Sequence, residues 1–185
     1  MTQPGPVVGR SRGTALSIVV PEAEAPTLAF RTRFLERTVA RRILAHVTLL
    51  HPFVDADAVD AELLAALRAL YGSAAPFSFT LARVATFDAH VWLAPEPRER
   101  FVELIELTCS RFPECPPYGD VFAGSDPVPH LTIGEGDNVE ALRDEAGRAF
   151  GGSLPLDCRA DSVTLLEEHA DGTWSARAAF LLGGR

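Results

Sequence analysis

Apolar and polar positions change rhythm along this chain, and the changes separate strands from helices. The run ALSIVV from Ala15 to Val20 is short, apolar and β-branched, and Pro21 closes it, which predicts a strand. From Thr27 to Leu44, Leu28, Phe34, Leu35, Val39 and Ile43 recur at near-helical spacing. Arg33, Arg37 and Arg41 recur every four residues on another face, so a helix is expected there. AHVTLLHPF, Ala45 to Phe53, returns to strand formers and is closed by Pro52. Asp57 offers an N-cap for a helix carrying Val59, Leu63, Leu64, Leu67 and Leu70, with Gly72 at its end. FSFTLARVATF and HVWLA read as a hairpin turning around Asp88 and Ala89. Pro97 suits the first turn of a helix whose inner face carries Phe101, Leu104, Ile105 and Thr108.

The second half repeats this plan loosely. PHLTIGEG, Pro129 to Gly136, resembles AHVTLLHPF, and Asp137 with Glu140 makes a capping-box pattern for a helix through Leu142 to about Ala149. SVTLLEEH and SARAAFLL then form a hairpin about Asp171-Gly172. The order is strand, helix, strand, helix, hairpin, helix, strand, helix, hairpin: an α+β chain with a hint of internal duplication. Residues 1–13 read as a flexible tail rich in Pro, Gly and Ser, and residues 14–185 as one domain.

Composition narrows the partners. All 17 basic residues are Arg, set against 25 acidic ones, for a formal net charge of -8. Such a field does not suit gripping long nucleic acid, which depends on neutralising many phosphates. No apolar run approaches the length of a membrane span and no leader-like apolar segment follows Arg10 and Arg12, so a cytoplasmic protein is expected. Three cysteines, Cys109, Cys115 and Cys158, without C-x-x-C or zinc spacing, read as bystander thiols. No metal site and no cofactor are expected.

Candidate chemistry sits on the two similar strands. Each holds a histidine followed two residues later by threonine: His46-Val47-Thr48-Leu49 and His130-Leu131-Thr132-Ile133. Strand side chains alternate, so His46 and Thr48 share one face, roughly 6.6 Å apart along the strand, while Val47 and Leu49 take the other. The same holds for His130 and Thr132. By itself the pattern also fits two half-buried strand histidines without a chemical role.

With these motifs, nearly half the chain apart, the sequence resembles the two-histidine (2H) phosphoesterase superfamily, which includes bacterial 2'-5' RNA ligases and cyclic nucleotide phosphodiesterases. AHVTLLHPF matches its first motif and PHLTIGEG its second, and the hairpins SFTLARVATFDAHVWLAPEP and SVTLLEEHADGTWSARAAFLL also look like that family. The resemblance covers roughly residues 15 to 183. It implies a bilobed fold of two antiparallel sheets with outer helices, related by a pseudo-two-fold axis, with the motif strands side by side in a central cleft. It further implies His46 and His130 as catalytic acid and base, and Thr48 and Thr132 as holders of the substrate phosphate. Because free histidine titrates near 6.5, one member can be neutral and the other protonated at neutral pH without unusual burial. The activity implied is metal-independent opening of 2',3'-cyclic phosphates, or chemistry at 2'-5' phosphodiester bonds, on nucleotides or RNA termini, by a monomer away from membranes. Hydrolysis suits the acidic charge better than ligation, which must hold two RNA ends.

The chain departs from the family at His51, where many members carry an aromatic residue, and at Gly134 and Glu135, where some carry a basic one. Five spacings beyond His46, a regular strand would turn His51 off the catalytic face, although Pro52 can break that rule. His51 and Phe53 are possible substrate contacts. His90 and His169 are expected as exposed imidazoles in turns. Arg31, Arg33, Arg37, Arg41 and Arg42 read as a solvated face, or as a patch that steers phosphate towards His46. Phe53, Tyr118 and Trp174 could stack on bases, though core packing is the plainer reading. Gly124-Ser125-Asp126 lacks nucleophile-elbow spacing, and Glu167 and Glu168 face opposite ways on a strand. The alternative function is a non-catalytic nucleotide- or RNA-end-binding module on the same 2H fold.

Overall fold

The computed structural model describes residues 12–116 and 127–184. In chain order its elements are β1 (Thr14–Val19), α1 (Pro21–Phe34), α2 (Glu36–Ala40), β2 (His46–Leu50), a 3-10 turn (Ala56–Ala58) and α3 (Ala61–Gly72). Then come β3 (Phe77–Phe87), β4 (His90–Glu96), α4 (Glu99–Arg111), β5 (Leu131–Glu135), α5 (Val139–Phe150), β6 (Leu156–Ala160), β7 (Ser162–Glu168) and β8 (Trp174–Leu181). The strands make two antiparallel four-stranded sheets, ordered β2-β1-β7-β8 and β5-β4-β3-β6. The fold is α+β and bilobed.

The duplication is real in the element order but does not divide the chain into halves. β1-α1-β2-α3 and β4-α4-β5-α5 repeat one plan, each placing its motif strand at a sheet edge. Each lobe is completed from elsewhere: the first sheet takes β7 and β8 from the far end of the chain. Helices cross over as well. α1 packs on β5 and β6 of the second sheet, and α4 packs on β2 of the first. One hydrophobic core therefore runs through both lobes, from Leu16, Ile18 and Val47 to Phe101, Leu131 and Ile133.

Several local expectations shift. The first helix starts at Pro21, not Thr27, because Pro21 preorganises its first turn, and Pro26 in the second turn forfeits few backbone bonds. Its buried face is Ala23, Thr27, Phe30 and Arg31, while Leu28 is exposed. Leu35 leaves the helical region, so the expected single helix to Leu44 is two helices and a connection. Asp60 rather than Asp57 caps α3, accepting from the Leu63 N–H at 2.8 Å. Asn138 rather than Asp137 caps α5, accepting from Ala141 N–H at 3.1 Å. β6 was not anticipated: Asp157 and Arg159 interrupt its apolar positions, yet Cys158 and Ala160 face the core while the strand pairs with β3. Residues 1–11 of the expected tail, Tyr118 and Gly124-Ser125-Asp126 lie outside the described residues.

Candidate active site

Alternation on the motif strands follows the pattern read from the sequence. Val47 and Leu49 are buried on β2, as are Leu131 and Ile133 on β5, while His46, Thr48, His130 and Thr132 are half-buried on the opposite face. β2 and β5 approach each other across the two sheets, near enough that the charge of His130 is felt at His46.

The two imidazoles are held alike. His46 Nδ1 lies 2.8 Å from the Leu44 carbonyl, and His130 Nδ1 lies 2.7 Å from the Val128 carbonyl. A carbonyl only accepts, so each Nδ1 carries the proton and each Nε2 is free to take one or, once protonated, to give one. Burial pushes both histidines below their ordinary value, against the raising effect of those carbonyls. Arg31, His130 and His51 lower His46 further, and His90 lowers His130. Burial therefore favours the neutral form of both rings in the free protein.

The segment before His46 is anchored from within. Arg31, only 1% exposed, pairs with Glu24 at 2.8 Å and donates to the Ile43 carbonyl at 2.5 Å. The same Glu24 oxygen accepts from the Ala45 N–H at 2.5 Å. Residues on both sides of Leu44, whose carbonyl orients His46, are thus tied to one ion pair. Nothing in the arginine periodicity distinguished Arg31. The usable signal was Glu24 and Arg31 seven residues apart, hence on one side of a helix.

The arginine group does not form a single solvated face. Arg33 pairs with Glu145, and Arg41 pairs with Glu168 while donating to Gly172 O at 2.9 Å. Arg41 also lies over Trp174, 5.8 Å from guanidinium carbon to ring centroid. His51 is half-buried with its ring 6.1 Å from Trp174, and its charge is felt at His46. Burial lowers its pKa, opposed by Glu168. Phe53, offered by the sequence as a possible substrate contact, lies in the core, edge-on against Phe112 at 5.0 Å. Trp174 is likewise buried. His169 is exposed, whereas His90 is half-buried near Phe87.

Around the second motif, Phe87 and Trp92 stand edge-on to His130 with centroids 4.9 and 6.0 Å away. Trp92 is the β4 partner of Thr132, while Ser17 is the β1 partner of Thr48. Gly134 has a packing reason: a Cβ there would lie 3.1 Å from Phe34 and 3.2 Å from Leu142, so glycine lets α1 and α5 close on β5. Among the described residues no group of three or more His, Cys, Asp or Glu could hold a metal ion, and no helix is long and apolar enough to cross a membrane. Cys109, Cys115 and Cys158 are free thiols, their pKa values raised by burial, Cys158 to about 12.

Solved structures of similar fold include E. coli LigT complexed with NADP+ (19% identity, TM-score 0.60, covering 94% of this chain and 98% of LigT). A protein described as a phosphoesterase (19% identity, TM-score 0.59) and TT0787 of Thermus thermophilus (17% identity, TM-score 0.59) each cover 94% of this chain and 99% of their own. A comparison with curated protein sequences finds no match. The model of the 2'-5' RNA ligase superfamily matches residues 19–172, a span holding both His-x-Thr strands and most of the two sheets, and the chain belongs to that superfamily.

Proposed function

We propose that this protein is a metal-independent phosphoesterase that acts on 2',3'-cyclic phosphates or 2'-5' phosphodiester bonds of nucleotides or RNA termini. The observation that carries the reading is the matched pair of imidazoles, each with Nδ1 bound to the carbonyl two residues before it. Two such imidazoles on neighbouring strands, each with Nε2 left available, supply what in-line displacement at phosphorus needs: a base for the attacking oxygen and an acid for the departing one. Thr48 and Thr132 hydroxyls beside them hold the non-bridging oxygens and stabilise the charge that builds there. Burial favours the neutral form of both rings, so the acid gains its proton when the anionic phosphate binds, since a nearby negative charge favours imidazolium. LigT has been solved with NADP+, ATP and 3'-AMP, which supports a nucleotide as the substrate class.

The test is phosphomonoester release from nucleoside 2',3'-cyclic monophosphates in the presence of EDTA. Wild type turns over. His46→Ala and His130→Ala, each folded by circular dichroism, lose about 10²- to 10⁴-fold in kcat/KM, the usual contribution of a general acid or base. Full activity in folded His130→Ala would overturn the two-imidazole mechanism, and tight nucleotide binding without any release would make the protein a binding module instead.

A further inference from the structure

The first motif has polar neighbours that the second lacks. Ser17 on β1 is the Cα partner of Thr48 on β2 and of Thr164 on β7. Directly paired residues of antiparallel strands share a face, so these three hydroxyl side chains form a row across the first sheet. The row lies on the face of His46 and Thr48, while Leu16, Ile18, Val47 and Leu165 take the other face, towards the main core. At the same register in the second sheet the row reads Thr132, Trp92 and Ala85, with one hydroxyl in place of three.

Ser17, the middle member, is 0% exposed, and its Oγ has no hydrogen-bond partner among the described residues. A buried hydroxyl without a partner is costly, and alanine would fill the same place without that cost. Facing residues hold their Cβ atoms roughly 4.5–5.5 Å apart, near enough for Ser and Thr hydroxyls to hydrogen-bond between strands. Rotation about the Cα–Cβ bonds of Ser17 and Thr48 therefore suffices to join them. An anionic phosphate at Thr48 would fix which way such a bond runs. A hydroxyl both donates and accepts, but a phosphate oxygen only accepts, so a Thr48 hydroxyl that holds one directs its proton outward. Its oxygen is then left to accept from Ser17. Thr164, 7% exposed, stands on the other side of Ser17 as a donor to it.

We propose that Ser17 is a positioning residue of the first motif: it donates to Thr48 Oγ1 when Thr48 donates to the substrate phosphate, and accepts from Thr164 in turn. The proposal rests on the phosphoesterase reading above, which puts the phosphate at Thr48. Hydrogen bonds in such a chain polarise one another, so each donor strengthens the next. The Ser17 hydroxyl thus weighs against the free protein and favours the bound one. Thr48 is backed in this way, whereas Thr132 has Trp92 in the place of Ser17.

Ser17→Ala in the full chain removes one oxygen and tests this directly. It should lower kcat/KM for a nucleoside 2',3'-cyclic monophosphate about three- to tenfold and weaken 3'-AMP binding, measured by calorimetry, by a similar factor, the worth of one hydrogen bond. The ligand-free Tm should stay within about 2 °C of wild type or rise, since no bond is lost there. In a Thr48→Val background Ser17→Ala should change neither kcat/KM nor affinity further, whereas in Thr132→Val it should cost its full factor. Unchanged turnover and affinity in Ser17→Ala, or the full loss with Thr48 already replaced, overturns the proposal and leaves the phosphoesterase standing. So does a ligand-free Tm more than about 5 °C below wild type, the mark of a hydroxyl already bonded in the free protein. Binding of 3'-AMP that weakens in Ser17→Ala, in a protein that turns nothing over, keeps the role of Ser17 and removes the phosphoesterase. A wild type that neither binds 3'-AMP nor turns over the cyclic substrate overturns both.

Discussion

Replacing Arg31 with methionine tests whether the buried ion pair, and not merely the strand, sets the first histidine. Arg31 is 1% exposed and makes two contacts that methionine cannot, to Glu24 at 2.8 Å and to the Ile43 carbonyl at 2.5 Å. Removing one partner of a buried pair costs about 3–5 kcal/mol because the other charge stays behind. Glu24 keeps the Ala45 N–H and has 29% of its side chain exposed, which places the expected loss near the lower end, about 3 kcal/mol. That is roughly a hundredfold in the unfolding equilibrium and roughly 6–12 °C in Tm for a chain of this size. Urea unfolding followed by tryptophan fluorescence measures it. A double-mutant cycle with Glu24→Gln should return a coupling of about 1–3 kcal/mol between the two residues. Arg31→Lys should restore little, since an ammonium cannot present two parallel donors in the same fork. Where the variant remains folded, kcat should fall about tenfold with KM within about twofold, the loss expected when a catalytic group is less well held. Whichever limb of the pH profile His46 carries should move to higher pH, because Arg31 lowers the His46 pKa and its charge is gone. An Arg31→Met protein within about 0.5 kcal/mol of wild type, with an unmoved pH profile, would refute the reasoning.

The lowered histidines also predict the pH dependence of wild type. Both catalytic candidates titrate below 6.5 in the free protein, so kcat/KM should peak below that pH, while bound phosphate raises the acid and carries the alkaline limb of kcat higher. For stability the sign is fixed by the same direction: below about pH 6.5 the unfolded chain binds more protons at these sites, so stability is full above that pH and falls as pH drops towards the folded values. Thermal unfolding at pH 7.5 and 5 should show the decline, smaller in a His46→Asn/His130→Asn protein; an equal decline would place its origin elsewhere. Gly134→Ala should destabilise by about 1–3 kcal/mol, because its Cβ would meet Phe34 and Leu142 at 3.1 and 3.2 Å. A neutral effect in urea unfolding would show that α1 and α5 can move apart.

What was legible in the sequence was what depends on near neighbours. Alternation fixed which face of each motif strand carries histidine and threonine, because strand side chains alternate whatever the rest of the chain does, and the hairpin at Asp88 and Ala89 declared itself through flanking strand formers. The pairing of β2 with β1, of β5 with β4, and the meeting of the two motif strands required contacts between segments far apart, which no local pattern encodes. Arg31 belongs to the same class: in sequence it is one of several regularly spaced arginines, and only the approach of residues 43–45 to α1 makes it a buried anchor. The core place of Phe53 has the same origin, since α4 and the residues after it supply the Phe112 ring it packs against. The sequence by itself determined two polar strand faces within an α+β chain. Tertiary packing alone brought the two strands together, lowered both imidazoles below their ordinary value, and set Trp92 beside one motif and Ser17 beside the other. Burial and charge proximity are properties of the assembled surface, not of the string of residues.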